Sequence, residues 1–136
     1  MVSDVFIFNN KFLDMKEIML KRTKKFAIDC WTFCSKLPKT REYNAYVNQL
    51  IRCSSSVGAN YRASQRAKSA ADFINKLKIV EEEADESNYF LEILLEITTI
   101  EKLNLNPEIE VLLKEANELV AITVSSIKTA RINSAK

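Results

Sequence analysis

Two clusters of basic side chains are the residues whose type and spacing best suit a chemical task, the binding of phosphate groups. At about 100° per residue, the first cluster covers roughly 160° of a helix surface and therefore lies on one side of it. Lysine and arginine neutralise backbone phosphates, and a neighbouring aromatic ring such as that of Tyr61 can stack on a base. The clusters are Lys21, Arg22, Lys24 and Lys25, followed by Arg62, Arg66 and Lys68.

Neither cluster contains a motif that reads base edges, so the pattern predicts contact with the backbone of RNA or DNA and gives no basis for arguing sequence specificity. The charge distribution favours the same hypothesis. Residues 1–68 hold 13 basic and 5 acidic side chains, a net charge of +8, whereas residues 69–136 hold 7 and 13, a net charge of −6. Such asymmetry indicates an anionic partner. The alternative interpretation is a solvated helix surface, with the two halves neutralising each other inside one bundle.

Paired carboxylates offer a second chemistry, because acidic residues three apart share a helix face and can hold Mg²⁺. They would suit a magnesium-dependent nucleotide pyrophosphatase, which is the enzymatic alternative. The sequence contains no histidine, which removes the commonest general base and the Glu-x-x-His ligands of di-iron bundles. Acid-rich helix surfaces are usually solvated, so we expect no enzymatic activity, no metal and no cofactor. The pairs are Glu82 with Asp85 or Glu83 with Glu86, joined by Glu115 and Glu118.

The three cysteines are an odd number, which argues against a disulfide framework. Cys30 and Cys34 share a helix face, but zinc needs four ligands and only Cys53 could join them. We therefore expect all three to be small, buried, reduced side chains, as is typical of a cytoplasmic protein.

Composition predicts a helical domain that spans residues 1–136. Apolar residues make up 47% and charged residues 28% of the chain, which excludes a disordered segment. One glycine and two prolines are too few for a β-sandwich or a glycine-rich phosphate loop. No apolar run reaches the roughly 18 residues of a membrane span, and no signal peptide is evident, so we expect no membrane contact.

Start and stop signals place the helices that must position these side chains. Pro38 ends the first helix and Thr40 caps the second. Ser69 opens the third within a capping-box pattern. Asn106 is the predicted cap of the fourth, with Pro107 at its first position. The predicted helices are about 15–36, 41–66, 70–103 and 107–132, preceded by an N-terminal arm over 1–14.

Apolar spacing indicates how the helices pack. An unbroken heptad seam runs from Phe73 to Thr98. Short loops between four such helices predict an all-α, up-down-up-down antiparallel four-helix bundle, with Arg52 level with Glu83. The run of small residues over 54–59, which holds the only glycine, predicts close approach of a neighbouring helix.

The central stretch resembles the signature of a bacterial four-helix-bundle family named for 23S-rRNA intervening sequences. The similarity covers about residues 16–130. It is carried by Gln49–Ala63 and Arg66–Ser69, and continues through Asp72–Ile74, Lys76-Leu77, Glu82–Ser87 and Leu91-Glu92.

This resemblance implies a four-helix bundle that assembles into a homo-oligomer, often a ring of five protomers. A related bundle, the accessory protein of diversity-generating retroelements, is a basic pentamer that binds nucleic acid and a reverse transcriptase. The first hypothesis is therefore a non-enzymatic oligomeric bundle that contacts RNA or DNA. The alternative is a protein-binding or structural adaptor, with apolar side chains such as Phe6, Trp31 and Tyr89 at its interface.

Overall fold

Four α-helices form a bundle in the computed structural model, which describes the backbone of residues 4–136 and the side chains of residues 15–136. Each helix packs against its neighbours in the chain, and α1 closes the bundle by packing against α4. The predicted all-α, up-down-up-down bundle is confirmed. The helices are α1 (Asp4–Cys34), α2 (Arg41–Ser64), α3 (Ala70–Ile100) and α4 (Asn106–Ser134).

The first helix is longer than the capping pattern predicts. It begins at Asp4 rather than near residue 15, so most of the predicted N-terminal arm belongs to α1. The segment contains no proline or glycine that would interrupt a helix. The hypothesis that Phe6 lines an interface concerns a side chain outside the described residues.

The second and third helices begin as predicted. The hydroxyl of Thr40 accepts a hydrogen bond from the backbone N–H of Tyr43 at 3.2 Å. Ser69 does the same for the N–H of Asp72 at 3.0 Å, and Asp72 in turn accepts from the N–H of Lys68. These side chains satisfy backbone donors that have no partner inside a helix.

The predicted cap of α4 is wrong. Asn106 already belongs to the helix, and Leu105 occupies the cap position without a side-chain hydrogen bond. The Oδ1 atom of Asn106 instead accepts from the hydroxyl of Thr99 at 3.2 Å, which connects the start of α4 to the end of α3. Pro107 still occupies the first turn, where its missing N–H costs nothing.

A left-handed turn joins α3 to α4. The N–H of Leu103 donates to the carbonyl of Thr98 and the N–H of Lys102 to that of Thr99, the pattern of a Schellman motif. Lys102 and Asn104 both have φ of 57°, a conformation that usually belongs to glycine.

The core follows the predicted seams. On α3, Leu77, Val80, Ala84, Leu91 and Leu94 are buried in the bundle interior. Residues from the other three helices complete the core, among them Phe26, Leu50, Val57, Ile109 and Leu119.

Ionic and polar contacts fix the register of α2 against α3. Arg52 lies 3.5 Å from Glu83, as predicted from the antiparallel arrangement, and 2.5 Å from Glu86. Nearer the start of α2, the hydroxyl of Tyr43 donates to the carboxylate of Glu101 at the end of α3. The arginine pairs therefore join the middles of the two helices, and the tyrosine contact joins the start of α2 to the end of α3.

Close packing of α1 on α2 depends on Gly58. A Cβ atom at this position would lie 3.1 Å from Oγ1 and 3.3 Å from Cβ of Thr23. Thr23 is buried, and its hydroxyl donates to the carbonyl of Met19 at 2.8 Å, so the side chain is fixed. The run of small residues therefore lets α1 approach α2, as the sequence predicts.

Candidate nucleic-acid interface

A groove of about 490 Å³ runs between α1 and α2. Small side chains form its floor, among them Ala27, Ser55 and Ala59, together with Gly58. Because these side chains are short, the groove reaches down to the place where the two helices touch. Longer side chains from both helices form its rims: Lys16, Lys21, Lys24, Arg62, Gln65 and Arg66.

The groove brings together four of the predicted phosphate-binding residues. Lys21 and Lys24 lie on the α1 side, and Arg62 and Arg66 lie on the α2 side. All four side chains are exposed to solvent. No carboxylate belongs to the described lining of the groove, so its rims carry positive charge alone.

These four side chains also lack an ionic partner among the side chains that the structure describes. With the carboxylates of residues 15–136, none of Lys21, Lys24, Arg62 and Arg66 forms a contact within 4.0 Å. An exposed cation without a fixed partner keeps its charge available to a mobile anion. The groove can therefore attract a phosphate-bearing polymer from either rim.

Lys16 is a further cation of the groove that the sequence reasoning missed. It lines the groove near the start of the part of α1 whose side chains are described, and it is exposed. Lys16, Leu20, Lys24 and Ala27 follow one another at intervals of four, four and three residues, which places them on one helix face. That spacing could have identified Lys16 once this face of α1 was known to border α2.

Arg22 belongs to the opposite seam of α1 rather than to the groove. Its guanidinium contacts Glu115 and Glu118 of α4, each at 2.6 Å. The hydrogen bonds and charge of Glu115 raise the pKa of Arg22 above its already high ordinary value, with Glu118 contributing less. The charge of this arginine is paired within the bundle, so Arg22 is not part of the candidate interface.

Lys25 and Lys68 also lie outside the described lining of the groove. The ammonium of Lys25 pairs with Asp29, one helical turn away, at 2.5 Å, and this contact raises the pKa of Lys25. Lys68 precedes α3, where its backbone N–H donates to Asp72. The predicted set of seven residues therefore divides into four that converge and three that do not.

The expectation that Tyr61 stacks on a base is wrong. Only 9% of its surface is exposed, because the ring packs into the core, and burial raises the pKa of its hydroxyl. Trp31 on α1 is instead exposed over 62% of its surface.

The paired carboxylates do not converge as the magnesium hypothesis requires. Glu83 and Glu86 contact Arg52 across the α2–α3 seam, whereas Glu115 and Glu118 contact Arg22 across the α1–α4 seam. Among the side chains of residues 15–136, no group of three or more His, Cys, Asp or Glu is arranged to hold a metal ion.

The three cysteines are free thiols inside the bundle, as expected. Desolvation raises the pKa of each thiol, and for Cys34 to about 11. The hydroxyl of Ser87 donates to the sulfur of Cys53 at 3.3 Å. Raised pKa values keep the thiols protonated near pH 7, which suits a packing role rather than a catalytic one.

Within the described part of the chain, no helix combines the length and apolar character needed to cross a membrane.

Comparison with known proteins places this arrangement in a family. The profile of the 23S rRNA-intervening sequence protein family matches residues 15–125. The chain is also similar to a crystal structure of a protein of unknown function from the S23 ribosomal protein family of Bacteroides thetaiotaomicron VPI-5482. The two share 28% sequence identity over 83% of this chain and 97% of the other, with a TM-score of 0.73. No curated protein matches the chain significantly.

Proposed function

Because the chain belongs to the 23S rRNA-intervening sequence protein family, we propose that it is a non-enzymatic, homo-oligomeric bundle that contacts the backbone of RNA or DNA. The contact surface is the α1–α2 groove. One observation carries the proposal: four exposed cations converge on this groove, and no carboxylate of residues 15–136 pairs with them.

The physical basis is the release of counterions from the nucleic acid. Each phosphate that a lysine or arginine neutralises frees condensed cations, so affinity falls steeply as salt concentration rises. For a single strand and about four neutralised phosphates, the affinity should fall about 50-fold between 50 and 200 mM salt. The groove offers its cations on two facing rims, which suits one strand lying between them.

A matched pair of charge-reversal variants tests the site. The variant K21E/K24E reverses two cations of the α1 rim, while K78E/K128E reverses two exposed cations that lie outside the groove lining and changes the net charge equally. Labelled RNA is titrated with each protein at several salt concentrations. We expect K21E/K24E to lose most of its affinity and about half of the salt dependence, and K78E/K128E to bind nearly as the parent does.

Two results would contradict the proposal. The first is no binding of RNA or DNA by the parent protein at low salt. The second is equal loss of affinity in both double variants, which would show that overall charge and not the groove governs binding. Either result would favour the alternative of a protein-binding or structural adaptor.

Exposed apolar side chains outside the groove support the oligomeric part of the proposal. Ile100 of α3 and Val111 of α4 are exposed over 78% and 68% of their surfaces, and neither lines the groove. Contact between subunits would remove such side chains from water and leave the α1–α2 groove open. The family resemblance implies five subunits. Light scattering at low salt tests this, and a monomer at micromolar concentration would contradict it.

A further inference from the structure

Trp31 continues the line of the α1–α2 groove along α1. It follows Ala27 by four residues and Lys24 by seven, and both of those residues line the groove. Seven residues are close to two turns, so Trp31 lies about 10 Å beyond Lys24 on nearly the same face of the helix. The core side chains of α1, such as Phe26 and Phe33, occupy the other face.

The indole of Trp31 lies outside the packed core of the bundle. It is exposed over 62% of its surface, and the neighbouring Ile28 is exposed over 56%. Among the described residues, the aromatic pairs are Tyr46 with Phe90 and Tyr89 with Phe90, and neither involves Trp31. A large ring kept in water beside a row of cations is typical of surfaces on which unpaired bases stack.

We propose that the groove takes single-stranded RNA or DNA, with a base stacked on Trp31, a nearby phosphate held by Lys24, and phosphates farther along the strand held by the arginines of α2. This inference rests on the proposed function and adds the class of nucleic acid. In a duplex the faces of the bases are covered by their neighbours, so a ring at the rim of a groove has nothing to stack on. A single strand can turn one base out while its backbone stays between the cations.

The chain provides its own probe for this contact, because Trp31 is its only tryptophan. Intrinsic tryptophan fluorescence is recorded while the full-length protein is titrated, at low salt, with an oligouridine of about 20 nucleotides. A duplex RNA of the same length serves as the second ligand. We expect the oligouridine to quench the emission at saturation and the duplex to leave it nearly unchanged.

Affinity measurements on variants, made by anisotropy of labelled RNA, complete the test. The variant W31A should bind the single strand about 5- to 150-fold more weakly, the equivalent of losing one base–aromatic stack. Its affinity for the duplex should change less than about twofold. W31F should keep most of the single-strand affinity, and Y89A, which removes an exposed ring from α3, should bind as the parent does.

The outcomes separate this inference from the proposed function. If RNA binds with strong salt dependence but without quenching, and W31A binds like the parent, the groove contacts backbone alone and the single-strand inference is wrong. If the duplex binds as tightly as the single strand and quenches equally, the inference is also wrong. If no RNA binds at low salt, the proposed function itself fails. Because Trp31 lies outside the core, we expect each variant to keep its helices, and far-UV circular dichroism checks this.

Discussion

Arg22 of α1 is held by Glu115 of α4 through two parallel hydrogen bonds, from Nε to Oε2 at 2.9 Å and from Nη2 to Oε1 at 2.6 Å. The same Nη2 atom also contacts Glu118. Bidentate pairs of this kind are among the stronger polar contacts in proteins. The pair lies across the seam where α4 closes the bundle on α1, so it helps to fix how these two helices meet.

Replacement of Arg22 should therefore destabilise the bundle. We expect R22A to lower the free energy of unfolding by about 1–2 kcal/mol, because it removes charge-assisted hydrogen bonds and leaves a half-buried carboxylate unpaired. Urea denaturation followed by circular dichroism measures the change. The matched variant K24A removes an exposed cation of the same helix and should change stability by less than about 0.5 kcal/mol. Equal effects of the two substitutions would show that the Arg22 pair contributes nothing specific.

Gly58 and Thr23 should be coupled energetically. The variant G58A gains helix propensity of about 1 kcal/mol, but its methyl group must displace the fixed side chain of Thr23, and overpacking costs about 1–3 kcal/mol. We expect a net destabilisation of about 1 kcal/mol for G58A. The double variant T23A/G58A should recover at least part of the overpacking loss, which a double-mutant cycle in urea detects. Additive effects of the two substitutions would contradict the close contact.

Replacement of Lys102 by glycine should stabilise the protein. Its φ of 57° places a lysine in a left-handed conformation that costs an ordinary residue about 1–2 kcal/mol. The variant K102G relieves that cost but also loosens the unfolded chain, so we expect a net gain of about 0.5–1 kcal/mol. The control K114G changes a residue in the interior of α4 and should lower the free energy of unfolding by about 1 kcal/mol. Thermal unfolding compares the two, and a destabilised K102G would rule out the expected relief of strain.

The buried thiols should make the protein less stable in alkali. Burial raises the pKa of Cys34 to about 11, while in the unfolded chain a thiol loses its proton near pH 8.5. Above about pH 8.5 the unfolded state therefore binds fewer protons than the folded state, and the free energy of unfolding falls as pH rises toward 11. Cys30 and Cys53 act in the same direction.

Urea unfolding at pH 8, 9 and 10 with a reductant present measures this effect. Between its unfolded and folded pKa values, each buried thiol lowers the free energy of unfolding by about 1.4 kcal/mol per pH unit. The variant C34A should therefore show a slope that is smaller by the contribution of one thiol. A free energy of unfolding that stays constant between pH 8 and 10, or an unchanged slope in C34A, would contradict the assignment.

The bundle and its core could be predicted from the sequence because helical periodicity is a local property. The spacing of Leu77, Val80 and Leu91 fixes which face of α3 is buried, whatever the other helices do. The cap of α4 could not be predicted, because the side chain of Asn106 is taken by Thr99, a contact that depends on how two helices meet.

Which basic residues line the groove also depends on how the helices meet, and the sequence does not give this. The cations of α1 cover an arc wide enough to border two seams, and the sequence does not say which helix lies on each side. Only the arrangement of the bundle directs Lys24 toward α2 and Arg22 toward the carboxylates of α4. Exposure of Trp31 and burial of Tyr61 follow from the same arrangement.

The contact at Gly58 has an effect on the ions around the protein. Helices that touch through a glycine approach the lower end of the usual range of about 8–10 Å between their axes. The lysines of α1 and the arginines of α2 therefore border one narrow groove, and no carboxylate belongs to its described lining. A groove lined by one sign of charge concentrates counterions, so dissolved chloride should gather along it before any larger anion arrives.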